Sequence, residues 1–276
     1  MPFHSVKAMN FKTMNVKTTG VKTTSIKTKY IRPQWSAPDH VRGFSTTRIG
    51  GYSLAEYAGF NLAEHVEDNP DNVKKNRNLL FSDLALKRSL FWLDQVHGTD
   101  VLDAELFYQN IQTFPFQADA SYSCKPNQVC TIMTADCLPI LFCNRRGSWV
   151  GAAHAGWRGL ANGVIQNTID CYSGDPTDLL AWLGPAICQK HFEVGDDVRQ
   201  VFLKFNPNYS KAFVSSNAES DKFYCDLYMI ARMILSEYNI ETSGGDLCTF
   251  SESDRFYSYR RDGETGRMAS LIWINR

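Results

Sequence analysis

Several absences narrow the class of this chain. No C-x-x-C pair occurs among its eight cysteines, which argues against a closed structural zinc site, whose ligands usually come in close pairs. No apolar run is long enough to cross a bilayer, and the first residues lack the apolar core of a secretory signal. A cytoplasmic protein with reduced thiols, most of them small core residues, is therefore expected. Acidic residues are missing from positions 1–32, which carry Lys7, Lys12, Lys17, Lys22, Lys27, Lys29 and Arg32. Removing those seven from the 29 Lys and Arg leaves 22 basic groups against 29 Asp and Glu, so the body is net −7. A body of that sign does not suit nucleic acid as a partner.

What is present is an ordinary globular composition: 276 residues, 43% hydrophobic and 13% aromatic, with room for a large core. The first 32 residues stand apart. Val6-Lys7, Phe11-Lys12, Val16-Lys17, Val21-Lys22 and Ile26-Lys27 each open a pentad filled with small or polar residues. A period of five matches neither a helix face nor strand alternation, so residues 1–32 read as a low-complexity, disordered basic extension. A single folded unit is expected over 33–276.

Within it, strands are expected at Phe44–Arg48, Ser89–Val96, Val129–Thr134, Leu138–Cys143, Trp149–Ala153, Leu179–Leu183, Leu247–Phe250 and Ala269–Ile274. Helices are expected at Pro70–Leu84, Gly159–Tyr172, Gly195–Phe205 and Leu227–Tyr238, where apolar residues recur at three- and four-residue intervals. Strands and helices mixed without a regular βαβ rhythm predict one α/β (α+β) domain.

Three soft-metal ligands lie in polar, turn-rich settings: His97 before Gly98, Cys137 after Asp136, and His154 before Gly156-Trp157-Arg158-Gly159. Two imidazoles and one thiolate suit zinc and leave a fourth position open, as a catalytic site requires. A second theme is arginine. Arg48, Arg158 and the adjacent pair Arg260-Arg261 each stand near a glycine turn, where a guanidinium fork can take phosphate or carboxylate. The alternative for Arg261 is an ion pair with Asp262 or Glu264. Tyr257, Tyr259, Trp157 and Phe60 offer flat faces for a heterocycle, or core filling. Cys137 with His154 and a nearby carboxylate can equally be a thiol nucleophile pair that needs no metal.

At these residues the chain resembles the YfiH/YlmD-type family of laccase-domain, or multicopper polyphenol oxidase, proteins, also described as purine nucleoside phosphorylases with adenosine deaminase activity. The resemblance runs from about Val41 to Arg276. It rests on Phe44-Ser-Thr-Thr-Arg48, Phe60-Asn61-Leu62, Gln95-Val-His97-Gly98, Ala118-Asp119-Ala120, Thr134-Ala-Asp136-Cys137-Leu-Pro139, His154-Ala-Gly-Trp-Arg158-Gly159, Gly184-Pro185-Ala186-Ile187 and Arg255 through Arg267.

The resemblance implies a four-layer α/β/β/α sandwich and one zinc on His97, Cys137 and His154, with copper possible in its place. It implies adenosine, inosine, guanosine or methylthioadenosine as substrates, with phosphate, in a monomer or homodimer. Cys137, Asp136 and Arg48 are then the catalytic group, and Arg48, Asn61, Arg158, Arg260 and Arg261 the set for substrate and phosphate. Multicopper chemistry needs about ten His and Cys ligands, whereas only six histidines are present; copper at the zinc site would support only weak phenol oxidation. Cys188 and His191, in a segment that departs from the family pattern, are candidates for an extra ligand. A Cys-His amidase acting on peptidoglycan precursors is the rival activity.

Overall fold

The computed structural model describes residues 29–109, 116–216 and 221–276. The pentad repeat falls outside the described residues. Among the described residues thirteen strands follow in chain order: β1 (Tyr30–Ile31), β2 (Val41–Thr46), β3 (Val101–Asp103), β4 (Ala120–Ser123), β5 (Val129–Thr134), β6 (Leu138–Asn144), β7 (Val150–Ala155), β8 (Leu179–Leu183), β9 (Glu193–Gly195), β10 (Phe213–Ser215), β11 (Lys222–Cys225), β12 (Glu241–Gly244) and β13 (Met268–Ile274). The α-helices are α1 (Pro70–Asp83), α2 (Ala104–Gln109), α3 (Trp157–Asn162), α4 (Val164–Asp170), α5 (Asp196–Phe205), α6 (Leu227–Glu237) and α7 (Tyr259–Asp262). The class is mixed α/β, as expected.

These strands of the described residues form three sheets, in the orders β1-β2-β13-β5, β12-β8-β6-β7-β4-β3 and β10-β11-β9. Side-chain alternation decides how the two larger ones pack. In β13, Ile272 and Ile274 point inward, joining Cys130 and Ile132 of β5. They meet Leu141 and Cys143 of β6, Val150 and Ala152 of β7, and Leu180 and Trp182 of β8. This is one face of the four-stranded sheet buried on one face of the six-stranded sheet. The alternate residues of β6 and β8 (Leu138, Ile140, Phe142, Leu179, Ala181, Leu183) pack instead against α3 to α6 through Leu160, Ile165, Phe202 and Ile234. On the far side of the smaller sheet, Phe44, Leu271 and Trp273 pack with Leu80 of α1. That helix starts where expected: Asn69 caps the amides of Asp71 and Asn72, and Pro70 opens the first turn.

Four expectations are corrected. The helix over 159–172 is two helices, because Gly163 adopts a left-handed φ of 102° and ends α3 before α4 begins. Ser89–Val96 is not a strand; it makes one bridge, Asp94 to Gln117. The strand expected at 247–250 lies earlier, at β12, which pairs parallel with β8; Cys248 makes only a single bridge to Ala186. The folded part also begins earlier than residue 33, since Tyr30 and Ile31 pair with Thr46 and Ser45.

The expectation of eight reduced thiols is overturned at two positions. Cys188 and Cys248 form a disulfide with Cα atoms 5.1 Å apart, closing a separation of 60 residues. The bridge Ala186–Cys248 brings these two segments side by side, a proximity that no local pattern encodes. Among the described residues no helix is long and apolar enough to cross a membrane.

Candidate metal centre and its cleft

The two large sheets share one connection that matters for chemistry. Strand β5 belongs to the four-stranded sheet and β6 to the six-stranded one, so Ala135-Asp136-Cys137 crosses from sheet to sheet. Asp136 takes a positive φ of 96° to do so, an uncommon conformation for a non-glycine residue. Its carboxylate offsets that strain by accepting from Thr249 Oγ1 at 2.6 Å, Ser258 Oγ at 3.0 Å and the Arg260 amide at 2.7 Å. The crossover is thereby pinned to the segment 249–260, and the Cys137 thiol is set at the sheet ends.

His154 is the second-last residue of β7, before Ala155, and its amide donates to the Asp119 carbonyl at 2.7 Å. His97 sits in a turn, with φ of 60°. Gln95 holds that turn to the edge of β5 by a two-way bond, giving its amide to the Met133 carbonyl and accepting the Met133 amide. The fully buried Asp119 organises the rest. Its carboxylate accepts the amides of Val96, His97 and Gly98 at 3.1, 2.9 and 2.7 Å, and the His154 Nδ1–H at 2.7 Å. That last bond assigns the proton to Nδ1 and leaves Nε2 as the ligand nitrogen.

The ligand atoms of His97, Cys137 and His154 all lie within 4.8 Å of one another, with Cys137 Sγ 3.7 Å from His97 Nε2. Zinc bonds of about 2.0–2.1 Å to nitrogen and about 2.3 Å to sulfur give a tetrahedral N···S edge of roughly 3.5 Å. The donor set therefore fits a borderline-soft metal of zinc's size. Gly156 makes room for it: a Cβ there would stand 2.7 Å from His97 Cδ2 and 3.0 Å from Cys137 Sγ. Gly159 has a parallel constraint, because a Cβ would meet the Gly98 carbonyl at 2.8 Å.

Electrostatics match. Burial alone would push the Cys137 thiol up, yet the charge of His154 and hydrogen bonds from His154 and His97 pull it down to about 6. Burial works against His154 as well, but Cys137 and the Asp119 carboxylate raise it to about 9. Asp119 is held below the usual carboxylate range; its burial is outweighed by His154 and the backbone amides. Without metal the site is a thiolate–imidazolium pair braced by a carboxylate.

The three ligands form the floor of a cleft of about 580 Å³, with Arg158, Arg267, His65 and Tyr259 on its walls. Arg158 is the member of the expected arginine set that reaches this lining. Arg48 lies over the Tyr257 ring and donates to the Ser253 and Ala58 carbonyls. Arg260 donates to the Glu193 carbonyl. Arg261 is taken up by the Thr249, Phe250 and Phe256 carbonyls and by Asp262, the ion-pair alternative weighed for it. Asn61 is buried and fully engaged with Ala63, Asp68 and the Arg267 amide. Of the four flat rings, Tyr259 faces the cleft, 62% exposed, while Phe60 and Tyr257 are core. Cys188 is in the disulfide and His191 stacks on Phe250 at 4.2 Å, so neither joins the three-ligand set. Residue reasoning gave no role to Asp119, Arg267 or His65. Asp119 did carry a signal: an acid between two alanines at a strand start is costly to bury unless it is used.

A family model described as multi-copper polyphenol oxidoreductase laccase matches residues 42–275. Purine nucleoside phosphorylase YfiH of Escherichia coli strain K12 is 49% identical over 246 residues, which is 88% of this chain and 97% of that relative. Purine nucleoside phosphorylase PA4543 of Pseudomonas aeruginosa is 47% identical over 243 residues, again 88% and 97% of the two chains. Among solved structures, Neisseria meningitidis protein NMB0706 superposes with a TM-score of 0.85 at 44% identity, covering 90% of this chain and all of its own. YlmD from Geobacillus stearothermophilus superposes with a TM-score of 0.74 at 28% identity, covering 86% and 93%.

Proposed function

The chain belongs to the multi-copper polyphenol oxidoreductase laccase family, and we propose that its cleft is a purine nucleoside phosphorylase site built on zinc held by His97, Cys137 and His154. The observation that carries this reading is the open-faced ligand set on the floor of a cationic cleft. The names of the relatives at 49% and 47% identity support the substrate class. Zinc is preferred to copper for the mixed nitrogen–sulfur donors at near-tetrahedral spacing.

In phosphorolysis a phosphate oxygen bonds to ribose C1′ as the bond from C1′ to the purine nitrogen breaks. The electron pair leaves with the purine, which takes up a proton. A metal ion held by the three ligands would supply Lewis-acid polarisation at one open position. The chain's own residues do the rest. Tyr259 gives a face for the purine, and Arg158 places positive charge where charge develops. Asp119 holds both imidazoles in register, and Asp136 acts by positioning Cys137 rather than by touching substrate. Arg48, Asn61, Arg260 and Arg261 shape the cleft wall through the segments they brace. Adenosine, inosine, guanosine and methylthioadenosine are the proposed substrates, with hydrolytic deamination of adenosine at C6 as a side activity.

Adenosine turnover by zinc-quantified wild type and Cys137→Ala, with and without phosphate, tests the reading. Adenine and ribose 1-phosphate should form only with phosphate, inosine should form in either case, and all should vanish with zinc in the variant. A zinc-loaded wild type that consumes no nucleoside sinks it.

One observation favours a second reading: Cys137, His154 and Asp119 also form a thiol, base and carboxylate series. A Cys-His amidase of this kind keeps its activity after chelation and loses it on alkylation of Cys137, whereas the metal-dependent enzyme loses its activity on chelation as well.

A further inference from the structure

Arg267 stands between Gly266 and the first residue of β13, on the wall of the metal cleft. Its guanidinium lies 5.8 Å from the Tyr259 ring centre, and its Nη1 donates to the Thr265 and Gly266 carbonyls at 2.7 and 3.1 Å. No carboxylate lies within ion-pair distance of it among the described residues. Its Nε and Nη2 donors have no protein acceptor there either. Cys137 and Asp136 attract it without a hydrogen bond or ion pair to it, and a half-buried guanidinium with no such direct partner is unfavourable to maintain. Burial accordingly makes its cationic form harder to hold than in water.

Arg158, also on the cleft wall, is alike in this respect. It stacks on Trp157 at 4.3 Å, and no protein acceptor or carboxylate partner engages it among the described residues. His65 completes the group; its ring has no hydrogen-bond partner among the described residues. It is held below its ordinary value by burial and then by the positive charges of Arg267 and Arg77. Asp94 is the carboxylate in this lining, and its attraction on His65 is the weakest of the influences there.

We propose that Arg267 and Arg158, with the His65 ring, form an anion subsite that takes a phosphoryl dianion beside the His97–Cys137–His154 floor. Two guanidinium forks and a ring nitrogen offer more donors than a carboxylate can accept, whereas a phosphoryl group presents three oxygens and two charges. Naming the anion as cosubstrate rests on the phosphorylase reading above; the subsite itself does not. The assignment moves the anion site away from Arg260 and Arg261, whose donors are already engaged.

The test is calorimetric titration of inorganic phosphate, and separately of ribose 1-phosphate, into zinc-loaded wild type, Arg267→Gln, Arg267→Lys and Arg158→Gln. Loss of charge-assisted bonds should weaken phosphate binding at least about tenfold in Arg267→Gln, with Arg267→Lys intermediate because a point charge replaces a fork. Arg158→Gln, altered at an exposed position, should also weaken binding, and it decides the matter if Arg267→Gln fails to fold. Tighter binding of ribose 1-phosphate than of phosphate, still lost in the variants, assigns the subsite to the sugar phosphate. Wild type that binds neither anion, or variants that bind them as wild type does, overturns the proposal. If the anions bind through Arg267 but no nucleoside is consumed, the subsite stands and the phosphorylase reading falls. If phosphorolysis proceeds with an unchanged KM for phosphate in Arg267→Gln, the reverse holds.

Discussion

The Asp119 carboxylate accepts the Nδ1–H of His154 at 2.7 Å while also binding the amide of His97 at 2.9 Å. One buried acid therefore orients a ligand ring directly and the turn of a second ligand through its backbone. Partners of this kind typically set metal affinity by about 10–100-fold. Asp119→Asn should weaken zinc binding by that order, read by competition with a chromophoric chelator. Unchanged affinity would show that the ligands are positioned without it.

Gly156→Ala should remove metal while leaving the fold. The added methyl overlaps His97 and Cys137, so the ligands must separate. Bound zinc should fall well below one per chain while far-UV circular dichroism stays as in wild type. Full occupancy would mean that the His97 turn yields more readily than its Asp119 and Gln95 bonds suggest.

At neutral pH and below, thiol chemistry in the metal-free protein should follow Cys137, because burial raises the accessible thiols of Cys124 and Cys171. Its pKa near 6 means that the thiolate is present above that pH and lost as the pH falls through it. Alkylation should be half-maximal near pH 6. Cys130 and Cys143, whose thiols burial pushes up to about 12, should stay inert in the folded protein. The same depression ties folding stability to pH. The thiolate contributes above the ordinary thiol range, and the contribution disappears as acid brings the pH below about 6. A midpoint near 9 would mean that His154 is not charged beside it.

Asp136 separates a bracing role from a proton-carrying one. Asp136→Ala leaves Thr249, Ser258 and the Arg260 amide without their acceptor, which should cost about 2–4 kcal/mol in urea unfolding. Asp136→Asn keeps an acceptor oxygen and should retain most turnover with an unshifted pH profile. A collapse of turnover with stability intact would make the carboxylate part of the chemistry.

The Cys188–Cys248 link should be worth about 4 kcal/mol on chain-entropy grounds for a loop of this size. The Cys188→Ser/Cys248→Ser double variant should melt lower than wild type without reductant and the same as reduced wild type. Equal melting in all three states would mean that the bond does not constrain the unfolded chain.

Much of this molecule is determined by local pattern. Period-two alternation in β5, β6, β8 and β13 places apolar side chains on two faces, and capping and proline placement define α1. The three candidate ligands that the structure brings within 4.8 Å of one another stand out in the sequence because soft donors beside turn residues have few structural uses. What only the tertiary structure decided is where long, flexible and charged side chains end. Arg48, Arg158, Arg260, Arg261 and Arg267 are chemically equal in the sequence. Backbone carbonyls of remote segments claim Arg48 and Arg260, those of its own segment claim Arg261, and Arg158 and part of Arg267 stay open to the cleft. Asp119 signals in the sequence only that a buried acid is in use, and its partner appears once β4 and β7 pair and bring it to His154. Elements follow from interactions within a few residues of chain, whereas the Cys188–Cys248 disulfide, the His154–Asp119 bond and the bonds of Arg48 to Ser253 and Arg260 to Glu193 join residues more than thirty positions apart. Those contacts exist only once the sheets have packed.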